Sequence, residues 1–141
     1  MKHSKKIILL LLVITMNIGT CSLVFARDIQ GIESNSVIVD GVEFHGQLYA
    51  YGYVIELNVS DVVNEIPYDK AELAVRIWYK DDNGNTYTKN FGNQTVTDGY
   101  TFYELPESYI NIRENYDVYK IKGWYKVYKN GDSASNTIIL E

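Results

Sequence analysis

The chain has 141 residues, a single cysteine and a formal net charge of −5, which is length enough for one domain with a real core and too little for two. Apart from any local basic patch, the acidic balance works against nucleic acid and anionic lipid as partners, because their phosphates repel such a surface over a Debye length. One cysteine cannot form an intrachain disulfide, so stability has to come from packing.

Residues 2–26 read as an export signal. Lys2, Lys5 and Lys6 make a positive start, residues 7–14 are an unbroken apolar run, and Val24-Phe25-Ala26 offers small residues at the positions a signal peptidase reads. Cleavage after Ala26 is expected, with residues 1–26 as signal peptide and residues 27–141 as a single secreted or cell-surface domain. A retained membrane helix needs about 20 apolar residues, and Thr15, Asn17, Gly19 and Thr20 interrupt this one. Lipidation at Cys21 is the other alternative. It is disfavoured by Thr20, larger than the usual glycine or alanine, and by the further apolar segment 23–26.

Cleavage removes 3 of the 13 basic residues and none of the 18 acidic ones, so the remaining 10 leave a net charge near −8. All 13 tyrosines stay. Each supplies a large ring and a hydroxyl that can remain wet at the edge of a core or on a binding surface.

Residues 27–36 read as a tether. Residues 37–44, broken by Asp40-Gly41, supply an opening strand or hairpin. Tyr49, Tyr51, Tyr53, Ile55, Leu57 and Val59 then alternate with their neighbours, and a period of two places them on one face of an extended strand. Residues 46–59 are expected to form one long strand bent at Gly52.

Leu73, Val75, Ile77 and Tyr79 share the next face, opposite Glu72, Ala74, Arg76, Trp78 and Lys80. β-Branched and aromatic residues at a spacing of two argue against a helix here. Asp81-Asp82-Asn83-Gly84-Asn85 can reverse the chain into residues 86–91. A further strand over 94–105 and a connecting segment over 106–115 follow.

Tyr119, Ile121, Tyr125 and Val127 then alternate with Lys120, Lys122, Trp124 and Lys126. A turn at Asn130-Gly131-Asp132 leads to a last short strand over 137–140. About seven strands, each with one apolar face, must bury those faces against another sheet. The expected fold is therefore all-β: a two-layer antiparallel β-sandwich of immunoglobulin-like type, with a small β-barrel as the alternative. Tyr53, Ile55, Leu57, Leu73, Val75, Ile77, Tyr119, Ile121, Tyr125 and Val127 are its expected core.

Catalytic chemistry is hard to assemble from these residues. His45 is the only histidine beyond the signal, and no serine elbow or cysteine nucleophile accompanies it. A zinc site would have to be built from that histidine and acids, so no metal and no cofactor are expected. The EF-hand spacing fails from Asp81, because Thr86 stands where glycine is required and Gly92 where the bidentate glutamate belongs. Glu56, Glu72, Glu104 and Glu107 could include a carboxylate pair for glycan hydrolysis.

The strand face with Lys120, Lys122, Trp124 and Lys126 is the clearest binding feature. If that side faces solvent, the indole can stack on sugar faces or pack into protein partners while the neighbouring ammonium groups reach anions. The alternative is a Trp124 covered by a neighbouring loop, with lysines that only keep a sheet edge soluble. The sequence thus points to a noncatalytic exported domain that binds a protein or cell-surface glycan. Its alternatives are a small carboxylate-dependent hydrolase and a self-associating structural surface protein.

Overall fold

A computed structural model describes residues 29–60, 68–97, 101–104 and 108–141. The expected export signal, residues 1–26, lies outside the described residues. The alternating segments form β1 (Gly31–Val39), β2 (Val42–Tyr51), β3 (Val54–Ser60), β4 (Lys70–Lys80), β5 (Thr86–Val96), β6 (Thr101–Glu104), β7 (Asp117–Lys129) and β8 (Asp132–Leu140). Among the described residues one helix, α1 (Ser108–Asn115), precedes β7.

Tight turns set the register. Asp40-Gly41 joins β1 to β2 and Asn130-Gly131 joins β7 to β8, with both central residues at positive φ in each (49° and 74°; 51° and 86°). That is the backbone whose twist matches a two-residue hairpin, and asparagine, aspartate and glycine tolerate it best. Asp81 organises the β4–β5 turn, where its carboxylate accepts the backbone N–H groups of Asn83 and Asn85, the Asn85 amide and the Tyr87 hydroxyl. These bonds, the Asn85 amide foremost, hold the Asp81 carboxyl below the usual range.

Among the described residues two four-stranded sheets result, ordered β1-β2-β3-β6 and β5-β4-β7-β8, with every pair antiparallel. This is an all-β, two-sheet sandwich architecture. Phe44, Leu48, Ile55, Leu57 and Val59 from the first sheet meet Leu73, Ile77, Ile121, Tyr125 and Val127 from the second, all fully buried. Each such side chain contributes roughly 1.5–3 kcal/mol.

Several expectations change. Residues 46–59 are not one bent strand: Gly52, at φ 57°, starts a two-residue turn between β2 and β3, with Tyr51 paired to Val54. Tyr53 therefore sits in the turn and is 58% exposed instead of in the core. Tyr119 is also exposed, because a bulge shifts the β4–β7 register between Trp78 and Tyr79 and turns it outward. The remaining eight expected core residues are buried.

The supposed tether is strand from Gly31 onward, paired along β2. The strand expected over 94–105 is the end of β5 followed by the separate β6, and the last strand begins at Asp132. The connecting segment contains α1, which buries Tyr109 edge-on against Phe91 and sends Arg113 Nε to the Gly52 carbonyl at 3.0 Å.

Side chains link the two sheets where β1 meets β8. The Tyr125 hydroxyl donates to Asn35 Oδ1 at 2.8 Å, and Asn35 Nδ2 donates to the Thr137 carbonyl at 2.8 Å. Asn136 Nδ2 adds a bond to the Ser36 carbonyl. Burial pushes the Tyr125 hydroxyl up to about 12 from 10.0. An unfolded chain ionises this phenol near pH 10, so the stability it contributes is intact below that pH and is lost as pH rises toward 12.

Tyr125→Phe should cost about 1–3 kcal/mol at neutral pH, since Asn35 Oδ1 loses its donor. Between neutral pH and about pH 11 the parent should lose roughly 1–1.5 kcal/mol more than the variant. Urea titrations of both proteins at the two pH values test this. Equal losses would remove Tyr125 as the cause.

Candidate binding face

The outward side of the second sheet is assembled by antiparallel register. Along β4 and β7 the facing pairs are Trp78 with Lys120, Arg76 with Lys122, Ala74 with Trp124, Glu72 with Lys126, and Lys70 with Tyr128. Lys120, Lys122, Trp124 and Lys126 thus share one face, and all four are partly buried. Period-two alternation puts them there, because Ile121, Gly123, Tyr125 and Val127 face the core.

The pairing brings in residues that β7 by itself does not reveal. Arg76, Trp78, Lys70 and Tyr128 join the face, so both tryptophans of the chain lie on it. Lys120 Nζ lies 5.8 Å and the Arg76 guanidinium 5.7 Å from the Trp78 ring centroid. Lys70 and Lys126 lie 4.3 and 4.7 Å from that of Tyr128. Such contacts hold the cations over aromatic rings.

Charge is balanced unevenly along the face. At one end Lys70 Nζ meets Glu72 Oε1 at 2.7 Å, and the Tyr128 hydroxyl donates to Glu72 Oε2 at 3.1 Å. This hydrogen bonding raises the Lys70 ammonium above its ordinary value, and Lys70 in turn lowers the Glu72 carboxyl. At the other end Lys120 Nζ binds Glu141 Oε2 at 2.6 Å. In the middle, Arg76 and Lys122 face each other, and no carboxylate among the described residues pairs with either.

A groove of about 510 Å³ opens at this middle position, with Ala74 and Gly92 as small residues in its lining and Arg76, Asn90, Lys122 and Trp124 around them. Its shape comes from a bulge in β5. Leu73 pairs with Gln94 and Val75 with Phe91, so two β5 residues oppose Ala74 alone.

The other sequence candidates are dispersed. His45 lies within β2 with Nε2 4.0 Å from Glu43 Oε2. Glu56 and Glu104 are register partners on the first sheet, Glu72 is tied to Lys70 on the second, and Glu107 lies outside the described residues. A second cavity, about 480 Å³, is lined by Asp117 and Glu141, each carrying its own lysine: Lys80 at 3.1 Å and Lys120 at 2.6 Å. No group of three or more metal-ligating side chains occurs among the described residues.

Two tyrosine clusters lie elsewhere in the fold. Tyr79, Tyr87 and Tyr116 pack with ring centroids 5.0–5.9 Å apart, and Tyr49 stacks on Tyr51 at 6.4 Å. Only period-two spacing of Tyr49 and Tyr51 signalled either one. Among the described residues no helix is long and apolar enough to cross a membrane. Comparison of the sequence with protein-family models and with curated proteins yields no match.

Proposed function

We propose that this chain is a noncatalytic, exported binding domain that recognises an extracellular protein or a cell-surface glycan through the outer face of β4 and β7. The observation that carries this reading is the segregation of charge. Five cations and both tryptophans gather on one face of a chain that is acidic as a whole. Aromatic rings beside ordered cations are the usual makings of a recognition surface.

Export follows from residues 2–26, and with it a secreted or cell-surface location. An immunoglobulin-like type is supported by strand order: β3 neighbours β6 in one sheet and β4 neighbours β7 in the other, flanked by β5 and β8. These are the places of strands B and E, and of C and F flanked by C′ and G, in such sandwiches. Self-association has less support, since the outer strand β5 carries Lys89 and is broken by its bulge.

The test starts with protein recovered outside the producing cells, whose first residue should be Arg27. A diacylglycerol on Cys21 would replace the cleaved signal with a lipoprotein. That protein, used to pull down surface polysaccharide and extracellular proteins, should capture a partner that Trp124→Ala loses at least about 10-fold. A folded Trp124→Ala variant with unchanged affinity would move the site elsewhere.

A further inference from the structure

The pair Arg76–Lys122 stands out on this face. Like charges directly opposite one another on neighbouring strands repel, and the face's two glutamates neutralise only its ends. The Arg76 guanidinium is nevertheless held in place. Its Nε donates to Asn90 Oδ1 and its plane lies near Trp78, which leaves the two terminal nitrogens for a ligand. A guanidinium so fixed presents a fork that matches a carboxylate.

Apolar surface lies on both sides of this pair. Trp78 is one row along the strands and Trp124 one row the other way, each step about 7 Å. Ala74 and Gly92 leave the groove beside Trp124 low, and a Cβ added at Gly92 would meet nothing within 4 Å.

Resting on the binding reading above, we propose that this groove takes an acidic sugar of a polysaccharide, a uronic acid, with its carboxylate between Arg76 and Lys122 and its ring face on Trp124. The anion supplies the negative charge that the sheet omits between its two cations. The indole supplies the stacking surface that a charge cluster alone would lack. Asn90, by holding Arg76 Nε, acts as a positioning residue.

Affinity electrophoresis of the exported protein in polygalacturonate, in its methyl ester and in dextran tests the assignment, since the ester keeps the sugar and removes the charge. Polygalacturonate should bind at least about 10-fold more tightly than the ester. Arg76→Gln and Lys122→Gln should each remove about 10-fold of the polygalacturonate affinity and leave the ester unaffected, whereas Trp124→Ala should weaken both. Lys89→Gln, the same charge change on β5 outside the groove, should change nothing.

Equal binding of acid and ester would overturn the anion site while leaving a glycan-binding face in place. A loss with Lys89→Gln equal to that with Lys122→Gln would reduce the effect to net charge and overturn it as well. Tighter capture of dextran sulfate through the same residues would replace the carboxylate by a sulfate. Failure of every polymer, with a protein partner retained in the pull-down through Trp124, would sink the sugar and keep the binding reading.

Discussion

Gly46→Ala is expected to destabilise the fold by about 3 kcal/mol or more, because among the described glycines an added methyl meets its closest neighbour here. An ideal Cβ at residue 46 would stand 2.2 Å from Cε1, 2.5 Å from Cζ and 2.8 Å from Cδ1 of Tyr125. Real carbon atoms do not approach so closely, so the ring or the strand has to move. The ring has little freedom, because it is fully buried and its hydroxyl is anchored to Asn35 across the sandwich.

Gly92→Ala is the matched control, as its added methyl enters open space. Combining Gly46→Ala with Tyr125→Leu should be strongly non-additive, since the smaller side chain relieves the clash that the methyl creates. Denaturant midpoints of the parent, Gly46→Ala, Tyr125→Leu, the double variant and Gly92→Ala decide it. A Gly46→Ala protein as stable as Gly92→Ala would mean that Tyr125 does not pack on residue 46.

Ile77→Ala should cost about 2–5 kcal/mol, the range for truncating a buried isoleucine. Ile77 is fully buried in the middle of β4 and pairs in register with Ile121 on β7. Its loss removes apolar area and leaves a cavity in a place flanked by strands on both sides, where collapse is difficult. Tyr53→Ala provides the contrast, because that larger ring is 58% exposed at a turn and its removal should stay within about 0.5 kcal/mol. Thermal and urea unfolding of both variants should rank them in this order, and the reverse order would contradict the assignment of inside and outside.

The contrast between these two residues also shows how far alternation can be followed. In β4, Leu73, Val75 and Ile77 repeat every second position without interruption, and all three are buried as the period requires. Tyr53 and Tyr119 obey the same period and are exposed, one because Gly52 reverses the chain and the other because a bulge resets the parity. A tyrosine contributes to such errors because its hydroxyl makes both burial and exposure tolerable. A leucine at either position would have been a stronger signal.

Local chemistry in the sequence was sufficient for the strand class, most of the core, and the turns at Asp40-Gly41, residues 81–85 and Asn130-Gly131, because period-two alternation and positive-φ preferences act within a few residues. It also placed Lys120, Lys122, Trp124 and Lys126 on a common face. What only the tertiary structure decided was that β4 lies beside β7, which brings Arg76 opposite Lys122 across 46 residues of chain and gathers Trp78 and Tyr128 around them. The Gly46–Tyr125 contact and the Asn35 clamp have the same origin. Such pairings depend on which sheet each strand joins and in what register, and that choice is settled by the packing of the whole core, to which no local stretch of sequence has access.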